Sequence, residues 1–182
     1  MIMAKPSADQ LRDVIRTMPP PLPAADRRRY SIANLGVGGF FDYRGDTHRV
    51  QSANPWYVED ATSTELEALN LTTGETAYFE WWREPDLHVL LSATKLDLRD
   101  LGLRPGQVEE VETVKHAGAS FSYDSDYHAE YGPNRRSVAV RVYTGDDGRR
   151  IYVQKWPDGY TAWLSEEIDP STIEVLVPGQ AA

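Results

Sequence analysis

The chain has no cysteine among its 182 residues. A disulfide scaffold, a thiol nucleophile and a cysteine zinc site are therefore excluded, and a reducing compartment is favoured. No apolar run approaches the ~20 residues that cross a bilayer. The first ten residues turn polar too early for a signal peptide. We therefore expect a cytoplasmic protein without a membrane span, and a hydrophobic content of 41% predicts a folded one.

Motifs that carry chemistry are also scarce. The glycines of "GVGGF" (36–40) lack the lysine of a phosphate-binding loop and precede a strand pattern, whereas phosphate cradles need a helix N-terminus. The four histidines do not have the His-Glu-x-x-His spacing of a zinc protease, and no nucleophile elbow is present. The sequence therefore predicts no catalytic residue and no cofactor, and it does not favour an enzyme.

Positive charge is scarce outside the N-terminus. The net charge is −9, yet residues 1–38 hold six basic and three acidic side chains. Nucleic acid is not an expected partner, since its binding depends on neutralising phosphates with basic side chains. A basic arm on an acidic body indicates either docking within the chain or an anionic partner, and we favour docking within the chain.

The N-terminal segment is predicted to form one amphipathic helix over 7–18. Ser7 and Gln10 have the spacing of a capping box, and an apolar stripe follows at helical spacing. "PPPLP" (19–23) ends the helix. We assign residues 1–30 to this helix and a proline-rich basic arm.

The rest of the chain has strand patterns separated by turn residues. Strands are predicted near 39–43, 47–52, 54–59, 65–71, 75–82 and 87–92, then near 108–116, 119–123, 137–143, 149–156, 160–165 and 172–177. Residues 96–107 read as a connector and 124–134 as a polar loop. The predicted fold is mainly β, with two consecutive antiparallel units, barrel- or sandwich-like, at 31–107 and 108–178.

The two units share a sequence pattern that indicates a duplication. Gly74 and Gly148 each precede a tryptophan, Trp82 and Trp156, by eight residues. Leu-Ser pairs at 91–92 and 164–165 follow each tryptophan at nearly the same distance, and "FDY" (41–43) resembles "FSY" (121–123). In this alignment Trp81 stands opposite Lys155.

Aromatic and acidic residues supply the candidate sites. Trp81 lacks an aromatic counterpart, so it is available for a contact between the two units, for the N-terminal helix or for a ligand, and we favour the apolar stripe of the helix. Trp56 and Tyr131 are further candidates for binding. Asp124, Asp126 and His128 occupy alternate positions and would share one face of a strand, where they could collect a divalent cation. In a loop the same residues would simply be solvated.

Several segments of the chain carry a resemblance, and they are "LGVGGFFDYRGDTHRV", "SFSYDSDYHAEYG", "RVYTGDDGRRIYVQKW", the "W.DG" turn and "IDPSTIEVL". Over about residues 31–177 the chain resembles a bacterial family, a domain of unknown function built of tandem β-units. An acidic residue is expected in the family's last long strand, where this chain has Gln154 or Lys155. Such proteins tend to be encoded beside small membrane proteins and polyamine aminopropyltransferases. The resemblance implies an accessory role linked to envelope stress or polyamines.

Two classes of function follow from the sequence. The first is a non-catalytic binding or adaptor protein whose partner is a protein, such as a small membrane protein. A polyamine is a weaker candidate ligand. The alternative is a metal-dependent enzyme or sensor centred on residues 124–131.

Overall fold

The computed structural model describes residues 5–180 and is mainly β, as predicted. Two α-helices precede the strands, α1 (Ala8–Arg16) and α2 (Ala24–Arg27). The eleven described strands are β1 (Phe40–Tyr43), β2 (Asp46–Val58), β3 (Ala61–Asn70), β4 (Thr76–Arg83), β5 (Leu87–Leu96), β6 (Thr113–His116), β7 (Ala119–Tyr131), β8 (Arg136–Gly145), β9 (Arg150–Trp156), β10 (Gly159–Ile168) and β11 (Ile173–Val177). Within residues 5–180, neither helix is long and apolar enough to traverse a bilayer.

Helix α1 begins where the sequence predicts. The Ser7 side chain accepts from the Gln10 backbone N–H, and the Gln10 side chain accepts from the Ser7 backbone N–H. Both bonds satisfy donors that a helix start would otherwise leave unpaired. The predicted capping box is therefore confirmed.

The N-terminal arm docks on the first compact unit of its own chain. Leu11 is 9% exposed and packs in a cluster with four other buried residues, Phe40, Leu69, Leu71 and Leu176. The backbone N–H of Leu22 donates to the carbonyl of Leu176 at 2.8 Å, which ties the proline segment to β11. Ion pairs join Lys5 to Glu75 and Arg27 to Glu174 at 3.6 and 3.1 Å. Docking within the chain is therefore confirmed.

Trp81 is not part of the described cluster that contains Leu11.

The chain forms two compact units, and both are discontinuous in sequence. The first contains the chain up to Ala53, then Glu65–Val89, and the chain from Ile168 onward; the second contains Asn54–Thr64 and Leu90–Glu167. The strand order is β11-β1-β2-β3-β4-β5 in the first unit and β5-β10-β9-β8-β7-β6 in the second, where the end of β2 also pairs with β7. The boundary expected from sequence, between residues 107 and 108, lies inside the second unit.

The predicted repeat is present in the order and length of the strands. From β1 to β5 the strands have 4, 13, 10, 8 and 10 residues; from β6 to β10 they have 4, 13, 10, 7 and 10. The first turn of each set has two residues with positive φ, Arg44-Gly45 (50° and 85°) and Ala117-Gly118 (48° and 82°). Two such residues are the signature of the tight hairpin turn. The match of "FDY" to "FSY" is wrong, because the first lies in β1 and the second in β7, the counterpart of β2.

Three segments depart from the predicted secondary structure. The strands predicted near 47–52 and 54–59 form one continuous strand, β2. Residues 124–131 belong to strand β7, not to a loop, because acidic or histidine side chains alternate there with aromatic or small ones, and β8 supplies a pairing partner for every residue of the segment except Asp124. Within 108–116 only Thr113–His116 forms a strand. The residues before it form turns instead, and their apolar side chains pack on the sheet of the second unit.

Candidate functional site

The structure brings two of the three predicted aromatic residues together. Trp56 of β2 pairs in register with Tyr131 of β7, and their ring centroids are 4.6 Å apart. Trp156 joins them, at 5.9 Å from Trp56 and 5.7 Å from Tyr131. Trp56 is 5% exposed and packs with buried valines such as Val138. These rings therefore form a core of the second unit.

Trp81 lies in the first unit, on strand β4. Its side chain is partly buried, and its indole N–H is buried without a hydrogen-bond partner among the described residues. An unpaired buried donor costs roughly 1–3 kcal/mol. Trp82, its neighbour on the opposite face, stacks on His88 with centroids 5.2 Å apart.

The three predicted metal ligands lie on β7 and are exposed. Asp126 forms an ion pair with Arg141 at 3.7 Å, and the hydroxyl of Ser125 donates to Asp124 at 3.2 Å. Within residues 5–180, no group of three or more His, Asp or Glu side chains is arranged to hold a metal ion. The geometry gives the metal site no support, and it stays a prediction.

An irregularity in β7 determines which side chains share a face of the second unit. Tyr123 and Ser125 pair with the consecutive residues Tyr143 and Val142, so Asp124 is an extra residue in the strand. Such a bulge reverses the alternation of side chains. Tyr123 before it and Asp126 after it consequently face the same side.

Three rows of cross-strand neighbours follow from this register. The first row contains Tyr123, Tyr143 and Ile151; the second contains Asp126, Arg141 and Val153; the third contains His128, Ala139, Lys155 and Tyr160. Side chains directly opposite each other on adjacent strands share a face. The face therefore changes from apolar to charged along the strands.

The segment between β5 and β6 covers the apolar end of this face. Its apolar side chains, Leu98, Leu101, Leu103, Val108 and Val111, pack against the sheet residues Phe121, Tyr143, Ile151, Val153 and Ala162. The cover reaches the third row at one end, where Tyr160 packs on this cluster and its hydroxyl donates to the Pro105 carbonyl at 3.0 Å. In this row His128 and Lys155 are exposed, while Ala139 and Tyr160 are partly buried.

Arg141 is the charged residue at the edge of the covered region. Its side chain is 9% exposed, and its guanidinium lies over the Tyr123 ring at 4.0 Å. Nε donates to the Tyr143 hydroxyl at 3.1 Å, and Nη2 donates to the Val111 carbonyl at 3.2 Å. Burial raises the pKa of Tyr143, so this phenol stays neutral. The Tyr123 ring on one side, and the Tyr143 hydroxyl and Val111 carbonyl on the other, thus fix the orientation of the Arg141 guanidinium.

Two clefts open beside this face, and both are lined by His128. The Arg141 cleft has a volume of about 450 Å³ and is lined by Val108, Glu109, Asp126, Tyr127, His128, Ala139, Val140, Arg141, Val153, Lys155 and Tyr160. The Glu59 cleft has a volume of about 650 Å³ and is lined by Tyr57, Glu59, Asp60, Thr62, His128, Ala129, Glu130, Arg135 and Ser137. We call the two together the groove.

The two clefts differ in charge. In the Arg141 cleft, Lys155 Nζ lies 3.1 Å from Glu109, which raises the pKa of Lys155. The Glu59 cleft has three carboxylates and one guanidinium. That guanidinium, Arg135, pairs with Glu130 at 2.8 Å and lies 4.1 Å above the Tyr57 ring. The Glu59 cleft is therefore acidic, whereas acid and base are nearly balanced in the Arg141 cleft.

Sequence reasoning found His128 and Asp126 but missed Arg141, Lys155 and the Glu59 turn. One signal was present, an arginine at an apolar position of the run "SVAVRVY" (137–143). A charged side chain there has to be buried with partners or directed at a ligand. The Glu59 turn has no comparable signal, since it reads as an ordinary acidic turn.

No protein-family model, curated protein or solved structure matches this chain. The resemblance described from the sequence therefore stays a prediction, and the proposed function rests on the groove.

Proposed function

We propose that the protein is a non-catalytic binding or adaptor protein that holds a segment of a partner protein in the groove of its second unit. The observation that carries the proposal is that two clefts lie side by side along β7, with His128 in the lining of both. A concave surface with dispersed polar groups is typical of a binding site.

The arrangement of charges favours binding over catalysis. Arg141, Lys155 and Arg135 are each paired with a carboxylate. Paired, oppositely charged groups orient and select a partner. A general acid or base instead needs a group whose pKa is tuned for proton transfer.

A partner-capture experiment tests this function. Ala139→Trp fills the floor of the Arg141 cleft, and Ser122→Trp adds the same side chain at an exposed position of β7 outside both clefts. We expect wild type and Ser122→Trp to recover the same partner from native cells after cross-linking, and Ala139→Trp to recover little of it. Equal recovery by all three proteins, or none by wild type, would contradict the proposal.

A second candidate ligand is a polyamine, and the acidic lining of the Glu59 cleft favours it. Carboxylates of Glu59, Asp60 and Glu130 with the Tyr57 ring offer ion pairs and a cation–π surface. We expect spermidine to raise the melting temperature, and Glu59→Gln with Asp60→Asn to abolish that shift. Sodium chloride at equal ionic strength is the control. Such binding would also support the polyamine-linked accessory role. We propose a cytoplasmic location separately, on the ground that the chain has no cysteine.

A further inference from the structure

Arg141 has one guanidinium nitrogen that its own contacts leave available. Nε donates to Tyr143, and Nη2 donates to Val111 and, at 3.5 Å, to the Glu112 carboxylate. Nη1 lies 3.7 Å from Asp126 Oδ2, which is beyond hydrogen-bond distance. The side chain is nine-tenths buried, and what remains exposed lines the Arg141 cleft.

The ion pair between Asp126 and Arg141 Nη1 is weak, so another carboxylate can replace Asp126. Its side chain is 67% exposed, so the carboxylate regains water when it turns away. At 3.7 Å the contact is also longer than a hydrogen-bonded ion pair, and therefore weaker. A carboxylate that reached Nη1 at hydrogen-bond distance would form a shorter, charge-assisted bond.

The acidic end of the groove lies a fixed distance along the same strand. Asp126 lines the Arg141 cleft and Glu130 lines the Glu59 cleft. These two residues are four positions apart on β7. At about 3.3 Å per residue this is roughly 13 Å. An extended chain lying along β7 would span it with four residues of its own.

We infer that the groove recognises an extended peptide with a carboxylate and basic side chains about four residues apart. The carboxylate binds Arg141 Nη1 in place of Asp126, and the basic side chains lie over Glu59, Asp60 and Glu130. This inference rests on the proposed function and adds the charge pattern of the partner segment.

Labelled synthetic peptides test the inference by fluorescence anisotropy with the full-length protein. The first probe contains two lysines, two alanines and a glutamate, and it is made as two peptides, one in that order and one in the reverse order. Each peptide carries the dye on a glycine linker. A second probe has glutamine for glutamate, and a third has glutamine for both lysines. We expect one of the two orders of the first probe to bind about tenfold more tightly than the second and third probes. The second probe loses the hydrogen bond between its carboxylate and Arg141, and the third loses the hydrogen bonds between its lysines and the acidic cleft.

Asp126→Asn distinguishes a ligand-binding arginine from one that only stabilises the fold. Because it removes the competitor and leaves Arg141 in place, it should tighten binding of the glutamate peptide roughly two- to fivefold and leave the glutamine peptide unchanged. Glu59→Gln with Asp60→Asn should weaken the lysine-bearing peptides. Asp146→Asn, exposed in the β8–β9 turn and outside both clefts, is the matched control.

The inference is overturned if no peptide binds wild type, if glutamine replaces glutamate without loss, or if Asp126→Asn behaves as Asp146→Asn does. If Ala139→Trp still fails to recover the cellular partner in any of these cases, only the inferred charge pattern of the partner segment is contradicted. If Ala139→Trp recovers the partner, both the charge pattern and the proposed function are contradicted.

Discussion

His48 is buried in the first unit among aromatic rings. It is 4% exposed, stacks on Phe41 with centroids 5.1 Å apart, and meets the edge of Phe79 at 5.6 Å. Nδ1 donates to the Asp46 carbonyl at 3.1 Å when it holds the proton. Burial lowers the pKa of His48, more than the neighbouring acidic groups raise it. The folded protein therefore keeps this imidazole neutral at pH values where the unfolded chain is protonated.

The free energy of unfolding should consequently fall as the pH drops below about 6.5, the pKa of an unperturbed histidine. In that window the unfolded state binds a proton and the folded state does not, which costs up to about 1.4 kcal/mol per pH unit. Urea unfolding of wild type at pH 7.5, 6.5 and 5.5 measures the slope. His48→Gln should flatten it, and the exposed His128→Gln should not. Equal slopes for wild type and His48→Gln would exclude His48 as the cause.

Trp81 and Lys155 show how far residue types alone identify a site. The repeat correctly singles out this pair as unequal positions, but the sequence points to the tryptophan as the binding residue. In the structure Lys155 lines the Arg141 cleft, while Trp81 is partly buried in the first unit. A lysine side chain reaches the rim of a cleft and leaves the sheet beneath it accessible, whereas an indole at the same position covers the sheet. The strand register, and not the residue type, shows that the accessible position is 155.

At the scale of elements, helix α1 is predictable because its signals are local. The capping box and the apolar stripe lie within twelve residues, and both are realised. The patch that receives the stripe comes from β1, β3 and β11, which are far apart in sequence, so it was not predictable.

The docking of α1 predicts unequal effects for two of its apolar residues. Leu11 is buried in the cluster with Phe40 and Leu71, while Ile15 is 51% exposed. Leu11→Ala should lower the free energy of unfolding by about 2–3 kcal/mol because it leaves a cavity. Ile15→Ala should change it by less than about 0.5 kcal/mol. Urea unfolding measures both, and equal losses would show that α1 is not held by this cluster.

The two equivalent hairpin turns predict a gain in stability. Arg44 and Ala117 both have positive φ, which asparagine tolerates better than either residue, and each precedes a glycine. Arg44→Asn and Ala117→Asn should each raise the free energy of unfolding by roughly 0.5–1 kcal/mol. Ala119→Asn, placed in the following strand, should give no gain. Thermal melts compare the three variants, and a loss at either turn would contradict the assigned geometry.

The main error at this scale is the loop predicted for residues 124–131. Polar side chains occupy the even positions throughout 119–131, so the sequence keeps one unbroken alternation. The pairing with β8 shows that Asp124 is an extra residue, and the even positions after it therefore lie on the face that holds the odd positions before it. This change of face follows from the partner strand and could not be predicted from the sequence.

For the whole molecule, the repeat is the feature that sequence predicted best. Turn glycines, tryptophans and the Leu-Ser pairs recur at matching intervals, and the strand lengths agree with them. Ser92 and Ser165, equivalent positions, share a hydrogen bond of 2.6 Å where β5 meets β10. The division into compact units was not predictable, since Asn54–Thr64 and the residues from Ile168 onward each join the unit of the other half.

The groove lies entirely within the second unit, where the repeat supplies the sheet and the segment between β5 and β6 leaves its charged end uncovered. The central claim is that a partner protein binds there. Photo-cross-linking in native cells tests it most directly, with benzoylphenylalanine at Ser137, which lines the Glu59 cleft, or at Ser122, which lies outside both clefts. We predict a cross-linked adduct of higher mass for position 137 and none for position 122. Adducts of equal yield at both positions, or at position 122 alone, would contradict the claim.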